Sequence, residues 1–359
     1  MPNPIITDTL QDTNELVRGR RVINSDPAGM LQMLPYKYGW ARAFFEKMYG
    51  NSWHPREVNL NEDASAWKED HLMSPTEREI FSRSLSFVSN LDTLQTYSLS
   101  NAISKQITAP ELLLLVIRQT FEETIHVLSY SNMIEILGIN PNETYGRYRK
   151  DAFLKAKLDH IVESINKILK PDYKTGTFEN DQLFLEALVN NVLLEGLFFY
   201  SSFLMFYALA RNGKMLNSSR LIGMINRDEA THRDLMILLY GEICNEQPEL
   251  ITKEFQDRMK VKIKEAVELE IDWGLELLST GDGEGLIGLS KKDVKGYIEH
   301  LGDVISNRFG YGDIYGTPNP CKWVSDYTDI NNELGAFFET TVIRYTQEIP
   351  ESETASIQW

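Results

Sequence analysis

The chain has 359 residues and a formal net charge of −16. No basic tract compensates that acidity, which argues against binding nucleic acid or an anionic membrane, where cationic side chains supply the attraction. Its only cysteines, Cys244 and Cys321, lie far apart in the sequence, which gives no disulfide framework or zinc knuckle and fits a reducing cytoplasm.

Residues 1–34 are polar and irregular, with Pro2, Pro4 and Pro27, and read as an extended N-terminal arm. Its start has neither a basic nor an apolar region of the kind a secretory signal needs. Helical patterning begins near residue 35. Ser74-Pro75-Thr76-Glu77 supplies an N-cap, a proline at the first helical position and an early acid, opening a helix through Asp92 to about Ile103. Ala109-Pro110-Glu111 opens the next, which carries Glu123, His126 and Tyr130 and stops at Gly138. A more charged helix runs from about Asp151 to Leu169, with Pro171 beyond it.

The segment from near Glu179 to Gly213 is hydrophobic nearly all round, and so central, with Glu195 in its middle. Val192 to Ala210 approaches the length of a membrane span. An ionisable residue inside such a helix faces protein rather than lipid, and a buried core helix is the better reading. Ser218-Ser219 is expected to cap the helix bearing Asp228, Glu229 and His232. Lys253 to Leu278 is amphipathic with an acidic outer face, Gly281 to Gly285 reads as a connector, and a last helix covers about Lys291 to Phe309. Strand-like alternation is nowhere sustained. The expected architecture is one all-α helical bundle over residues 35–345, followed by a polar acidic tail over residues 346–359.

Two of these helices carry Glu-x-x-His, at Glu123/His126 and Glu229/His232. The i, i+3 spacing puts both side chains on one helix face, so each pair can hold one side of the same ion. Each motif follows, by roughly 30 residues, a helix with one carboxylate in an apolar face, Asp92 and Glu195. A separation of that size fits a helical hairpin with a short turn. Between Gln182 and Ala210 there is no Lys or Arg, so Glu195 has no local cation. A buried carboxylate costs several kcal/mol unless paired or metal-bound. Four carboxylates and two imidazoles make a dinuclear site, and hard oxygen donors with one imidazole per ion suit iron or manganese. The arrangement is that of ferritin-like dinuclear bundles. At this point a desaturase-type oxidase, a hydrocarbon monooxygenase and a non-enzymatic metal-storage bundle all remain open.

Further residues narrow the choice. Trp53 stands in Trp-His-Pro-Arg-Glu-Val, Tyr130 lies four residues after His126, Asp228 precedes Glu229, and the chain closes with Tyr345 and a tail ending Ser-Ile-Gln-Trp359. With these, from about Leu34 onward, the chain resembles the small, radical-generating subunit of class I ribonucleotide reductase. The resemblance implies that Asp92, Glu123 and His126 bind one metal and Glu195, Glu229 and His232 the other, with a carboxylate bridging. It implies Tyr130 as the radical-bearing residue, Trp53 and Asp228 as the relay from the metals, and Tyr345 as the tail relay. It further implies a homodimer and a large catalytic subunit gripped by the tail through Ile357 and Trp359. Two irons per chain are expected, with Mn/Mn or Mn/Fe as alternatives and a flavodoxin-like activase if manganese is used.

The chain departs from the family at Gln119, where some members have Trp, and at Glu122, a second acid beside the ligand. Both features, with the tail, look like branches using manganese with iron, which commonly have Phe where Tyr130 is retained here. Phe199 and Phe203 read as apolar lining of the radical site. His54, His71, His160 and His300 have no carboxylate three residues before them and read as surface or structural.

Overall fold

Capping chemistry sets where the helices begin. The structure is a computed structural model describing residues 13–281, 283 and 285–328, so Tyr345, Ile357 and Trp359 lie outside the described residues. Short helices α1 (Thr13–Gly19), α2 (Trp40–Gly50) and α3 (Asn61–Trp67) precede the long α4 (Pro75–Ser98). At the head of α4, Ser74 and Glu77 cap each other's backbone N–H reciprocally. Helix α5 (Pro110–Leu137) starts on its proline and ends at Gly138, whose φ of 70° is the left-handed C-cap that glycine adopts without strain. Next come α6 (Pro141–Gly146) and α7 (Ala152–Ile168), the latter capped by Asp151.

Helices α8 (Phe178–Leu193) and α9 (Tyr200–Arg211) form the long apolar segment. They are followed by α10 (Leu216–Glu246), α11 (Lys253–Leu278), α12 (Lys291–Arg308) and the short α13 (Ser325–Thr328). Among the described residues there is no strand, only an isolated bridge between Leu286 and Leu289. Helices α4, α5, α8 with α9, and α10 pack against one another as the central bundle. Outside it, α11 and α12 cover α9, and α2 and α3 lie on α5.

The core stripe of each central helix explains both stability and site. On α4 it runs through Phe81, Leu85, Val88, Asp92 and Gln95; on α5 through Val116, Gln119, Glu123, His126, Tyr130 and Met133, all buried. Burying each large apolar side chain contributes about 1.5–3 kcal/mol. The polar residues among them occupy the same 3.6-residue register, so the packing that forms the bundle also drives them to its centre. The apolar stretch once comparable to a membrane span is buried throughout.

Three local features differ from the pattern expected. The segment from Glu179 to Gly213 is not one uninterrupted α-helix, because Leu194–Phe198 forms a π-helical turn between α8 and α9. A second π turn, Leu99–Ile103, continues α4, with the Ser104 N–H reaching back to the Leu99 carbonyl at 3.0 Å. Finally, Ser218 and Ser219 do not cap α10. That helix begins at Leu216, after Met215 at a φ of 53°. The carboxylate of Asp63, from α3, accepts from the backbone N–H groups of Asn217 (3.3 Å) and Ser218 (2.6 Å). An acid supplied by another helix already serves the first-turn donors, so the serines turn inward.

Candidate metal centre

The six carboxylate and imidazole side chains expected as ligands converge at the middle of the bundle, and all six are fully buried. Asp92, Glu123, His126 and Glu229 form one group whose ligand atoms lie within 4.8 Å of one another; Glu123, Glu195, Glu229 and His232 form a second. Glu123 and Glu229 belong to both, which is the arrangement bridging carboxylates need. The Nδ1 of His126 lies 3.0 Å from Glu229 and 3.6 Å from both Asp92 and Glu123. The Nδ1 of His232 lies 3.0 Å from Glu123 and from Glu229, and 3.6 Å from Glu195. Both imidazoles thus turn the same nitrogen inward, with ring centroids 5.7 Å apart.

A metal pair fits this donor set. Both oxygens of Asp92 and of Glu123, one oxygen each of Glu195 and Glu229, and the His126 Nδ1 are buried without a hydrogen-bond partner. Buried polar atoms are otherwise almost always satisfied, so a cluster of inward-facing orphans is what two cations would complete.

Outer contacts orient these candidate ligands. The Nε2 of His126 meets Asp228 at 3.3 Å, and the same Asp228 oxygen accepts from the Trp53 indole N–H at 2.6 Å. The Trp53 ring lies nearly parallel to that of His126, 18° off and 6.1 Å away. On the other side, the Nε2 of His232 meets Glu122 at 2.9 Å, and Glu122 accepts from Arg118 at 3.0 Å. The acid preceding each ligand glutamate therefore braces the histidine of the opposite motif. Such partners fix a ligand's tautomer and orientation. Glu195 accepts from Gln119 at 2.9 Å and from Gln95, so Gln119 spends its amide on a ligand.

Tyr130 is fully buried on the same face of α5 as His126, and its hydroxyl makes no full hydrogen bond. Burial, reinforced by the charges of Asp92 and Glu229, pushes its phenol well above the usual range. Among the six clustered donors, burial and the charges of Glu229 and Glu123 raise the carboxyl of Asp92. Burial and the charges of Glu123 and Glu229 raise Glu195. Burial would raise Glu229 too, but the neighbouring His126 wins and holds it below the usual carboxylate range. For the imidazoles burial acts downward and is overcome: Glu229 foremost raises His126, and Glu123 foremost raises His232.

The profile of the family described as "Ribonucleotide reductase, small chain" matches residues 30–320. The chain belongs to the ribonucleotide reductase small-chain family. It is 33% identical to the ribonucleoside-diphosphate reductase subunit beta of Chlamydia pneumoniae, over 92% of this chain and 94% of that one. Against the subunit beta of Halalkalibacterium halodurans it is 31% identical, over 94% and 95%. A solved R2 subunit from Clostridium botulinum superposes with a TM-score of 0.76 at 32% identity, covering 86% of this chain and 94% of that one. The dimanganese(II)-NrdF of Streptococcus sanguinis shares the fold, with a TM-score of 0.69 at 21% identity, covering 81% and 96%.

For a small chain of this family, the pattern of raised groups has a consequence for loading. Where Asp92, Glu195, His126 and His232 hold protons in the metal-free state, cations must displace them. Binding of Mn(II) to the apoprotein is therefore expected to release protons and to weaken as pH falls. Calorimetry in two buffers of different ionisation enthalpy measures the release, and a pH-independent affinity would contradict it.

Glu122, Arg118 and Gln95 were not foreseen as ligand braces. A signal for the first existed, since both motifs carry an acid directly before the ligand glutamate, as Glu122-Glu123 and Asp228-Glu229. His54 accepts from the Arg56 N–H at 3.1 Å, capping a short 3-10 turn beside Trp53. Phe199 and Phe203 stack on each other at 5.5 Å in the core.

Proposed function

We propose that this chain generates and stores the one-electron oxidant of a class I ribonucleoside-diphosphate reductase and passes it to the large catalytic subunit. The observation that carries this reading is the pairing of a buried dinuclear donor set with two aromatic residues, each tied to a different member of the same group of donors. Tyr130 lies in the electrostatic reach of Asp92, and Trp53 is tied through Asp228 to His126. Two redox metals held by Asp92, Glu123, His126, Glu195, Glu229 and His232 supply, with oxygen, the oxidising chemistry. Tyr130 is the proposed radical store: its hydroxyl proton and one electron leave together, and Asp92 is the nearby base. Asp228 orients the Trp53 indole and the His126 ring with one oxygen.

Fe/Fe is our first choice, with Mn/Mn or Mn/Fe as alternatives and a flavodoxin-like activase as partner in the manganese case. The oxygen-rich donor set accommodates either metal. We place the reaction in the cytoplasm, in keeping with two unpaired cysteines. Residues 346–359 are proposed to tether the large subunit, with Tyr345 receiving the oxidant and Ile357 and Trp359 docking. The test is reconstitution: the metal-loaded, oxygen-exposed chain plus a large subunit should reduce ribonucleoside diphosphates. A chain ending at Tyr345 should form the same radical yet neither bind the large subunit nor support turnover. Loss of the radical itself in that truncation would count against a docking role.

The homodimer has a candidate surface. Leu114, Ile117, Phe121 and Leu128 of α5 are exposed in a line at helical spacing, a stripe that a second copy would cover. Replacing Ile117 and Phe121 by Glu is expected to convert the dimer to a monomer in sedimentation velocity; an unchanged dimer would place the interface elsewhere.

A further inference from the structure

The π turn that carries Glu195 is held from behind by a buried ion pair. Lys157 of α7 and Glu270 of α11 are both fully buried and in contact. The Lys157 ammonium donates to the Phe198 carbonyl at 3.0 Å and sits 3.5 Å above the centre of the Phe87 ring. The other Glu270 oxygen accepts from the Ser201 backbone N–H at 2.7 Å, and the Ser201 hydroxyl donates to the Glu270 carbonyl at 3.0 Å. Phe198 is the last residue of the π turn and Ser201 lies in the first turn of α9. The pair thus bonds one carbonyl and one N–H on either side of the point where the winding changes.

Those are the positions where a helix that changes pitch leaves backbone groups in need of partners. A Cβ on Gly274 would lie 2.8 Å from the Ser201 hydroxyl oxygen, and a Cβ on Gly196 would lie 2.7 Å from the Arg233 side chain. Glycine at each position therefore lets the neighbouring helix approach the turn closely. Burying an ion pair is a poor way to gain stability, since well-packed apolar residues commonly do as well or better. Burial pulls Lys157 down to about 8 despite the opposing charge of Glu270. The polarity of the pair matches the backbone groups it serves, the cation on a carbonyl and the anion on an N–H.

We infer that Lys157 and Glu270 are positioning residues that lock the π turn at Leu194–Phe198 and thereby aim the Glu195 carboxylate at its metal. They touch neither metal nor substrate. The inference rests on the proposed ligand role of Glu195, and the readouts separate the two.

The test is the double variant Lys157→Met/Glu270→Met in the full chain, compared with the charge swap Lys157→Glu/Glu270→Lys and with Glu195→Ala. In the metal-free protein, amide hydrogen exchange across residues 194–201 should accelerate in the double variant while the rest of the bundle keeps its protection. Titration with Mn(II) should show one site retained and the other weakened about 10–100-fold, the range for loss of a ligand's outer support. The charge swap should not restore either, because it sets an anion on the Phe198 carbonyl and a cation on the Ser201 N–H. Parental exchange and two parental sites in the double variant, or full restoration by the swap, would overturn the inference. The isosteric Glu270→Gln variant carries the same readouts at smaller amplitude should the double variant not fold. If Glu195→Ala leaves both sites intact, the ligand assignment fails instead.

Discussion

Tyr130→Phe is expected to abolish the sharp organic radical that metal loading and oxygen exposure should produce, and to bring reductase turnover to background. Metal content and fold should not change. The hydroxyl faces Asp92 without a full hydrogen bond, so deleting it removes at most one weak polar contact. A volume-conserving change of this kind in a core costs less than about 1.5 kcal/mol, well short of the stability of an ordinary domain. Any loss of function is therefore chemical rather than structural. The phenol is pushed up by burial and by Asp92, so it cannot release its proton ahead of its electron near neutral pH. Both must leave together, and a phenylalanine offers neither. Electron paramagnetic resonance, metal analysis and a turnover assay on one preparation check the result. A metal-centred signal that the substitution leaves untouched, with full turnover, would move the oxidant from Tyr130 to the metals.

The convergence of the six donor side chains was readable in the sequence because they break local rules. Glu195 is a charge in an apolar run with no nearby cation, and the two Glu-x-x-His motifs repeat at a hairpin's spacing. The long helices were equally legible, since Ser74, Pro75, Pro110 and Gly138 act within a few residues of the ends they define. What stayed hidden depends on partners distant in sequence. Asp63 caps a helix that begins at Leu216, and Glu270 reaches Ser201; neither leaves a trace in a local window. The π turn at Leu194–Phe198 was invisible for a related reason. In a segment apolar on all sides, one widened turn changes no periodicity. Glu122 falls between these cases: the doubled acid stands in the sequence, but its pairing with His232 depends on the three-dimensional approach of α5 to α10.

Trp53→Phe is expected to separate making the oxidant from delivering it. The Trp53 N–H donates to Asp228 at 2.6 Å, and that oxygen also meets the His126 Nε2 at 3.3 Å. A hydrogen bond to a charged acceptor contributes about 1.5–3 kcal/mol. The variant should therefore melt somewhat earlier but remain folded, and Asp228 keeps His126 and Arg227 as partners. The inward ligand atoms are untouched, so two metals should still bind and the Tyr130 radical should still form. On the proposed route, however, each turnover needs an electron to travel from the large subunit to the buried Tyr130 radical, and phenylalanine is far harder to oxidise than indole. Turnover is expected to fall to background while the radical signal persists. Asp228→Asn offers an independent reading: the amide oxygen can still accept the indole N–H, but the charge beside His126 is lost, so a relay that depends on that charge should slow with the indole still in place. Parental turnover in Trp53→Phe would route the electron elsewhere. Loss of the radical instead would assign the indole to activation, and the near-parallel stacking of Trp53 on His126 would then serve the loading of the site rather than its discharge.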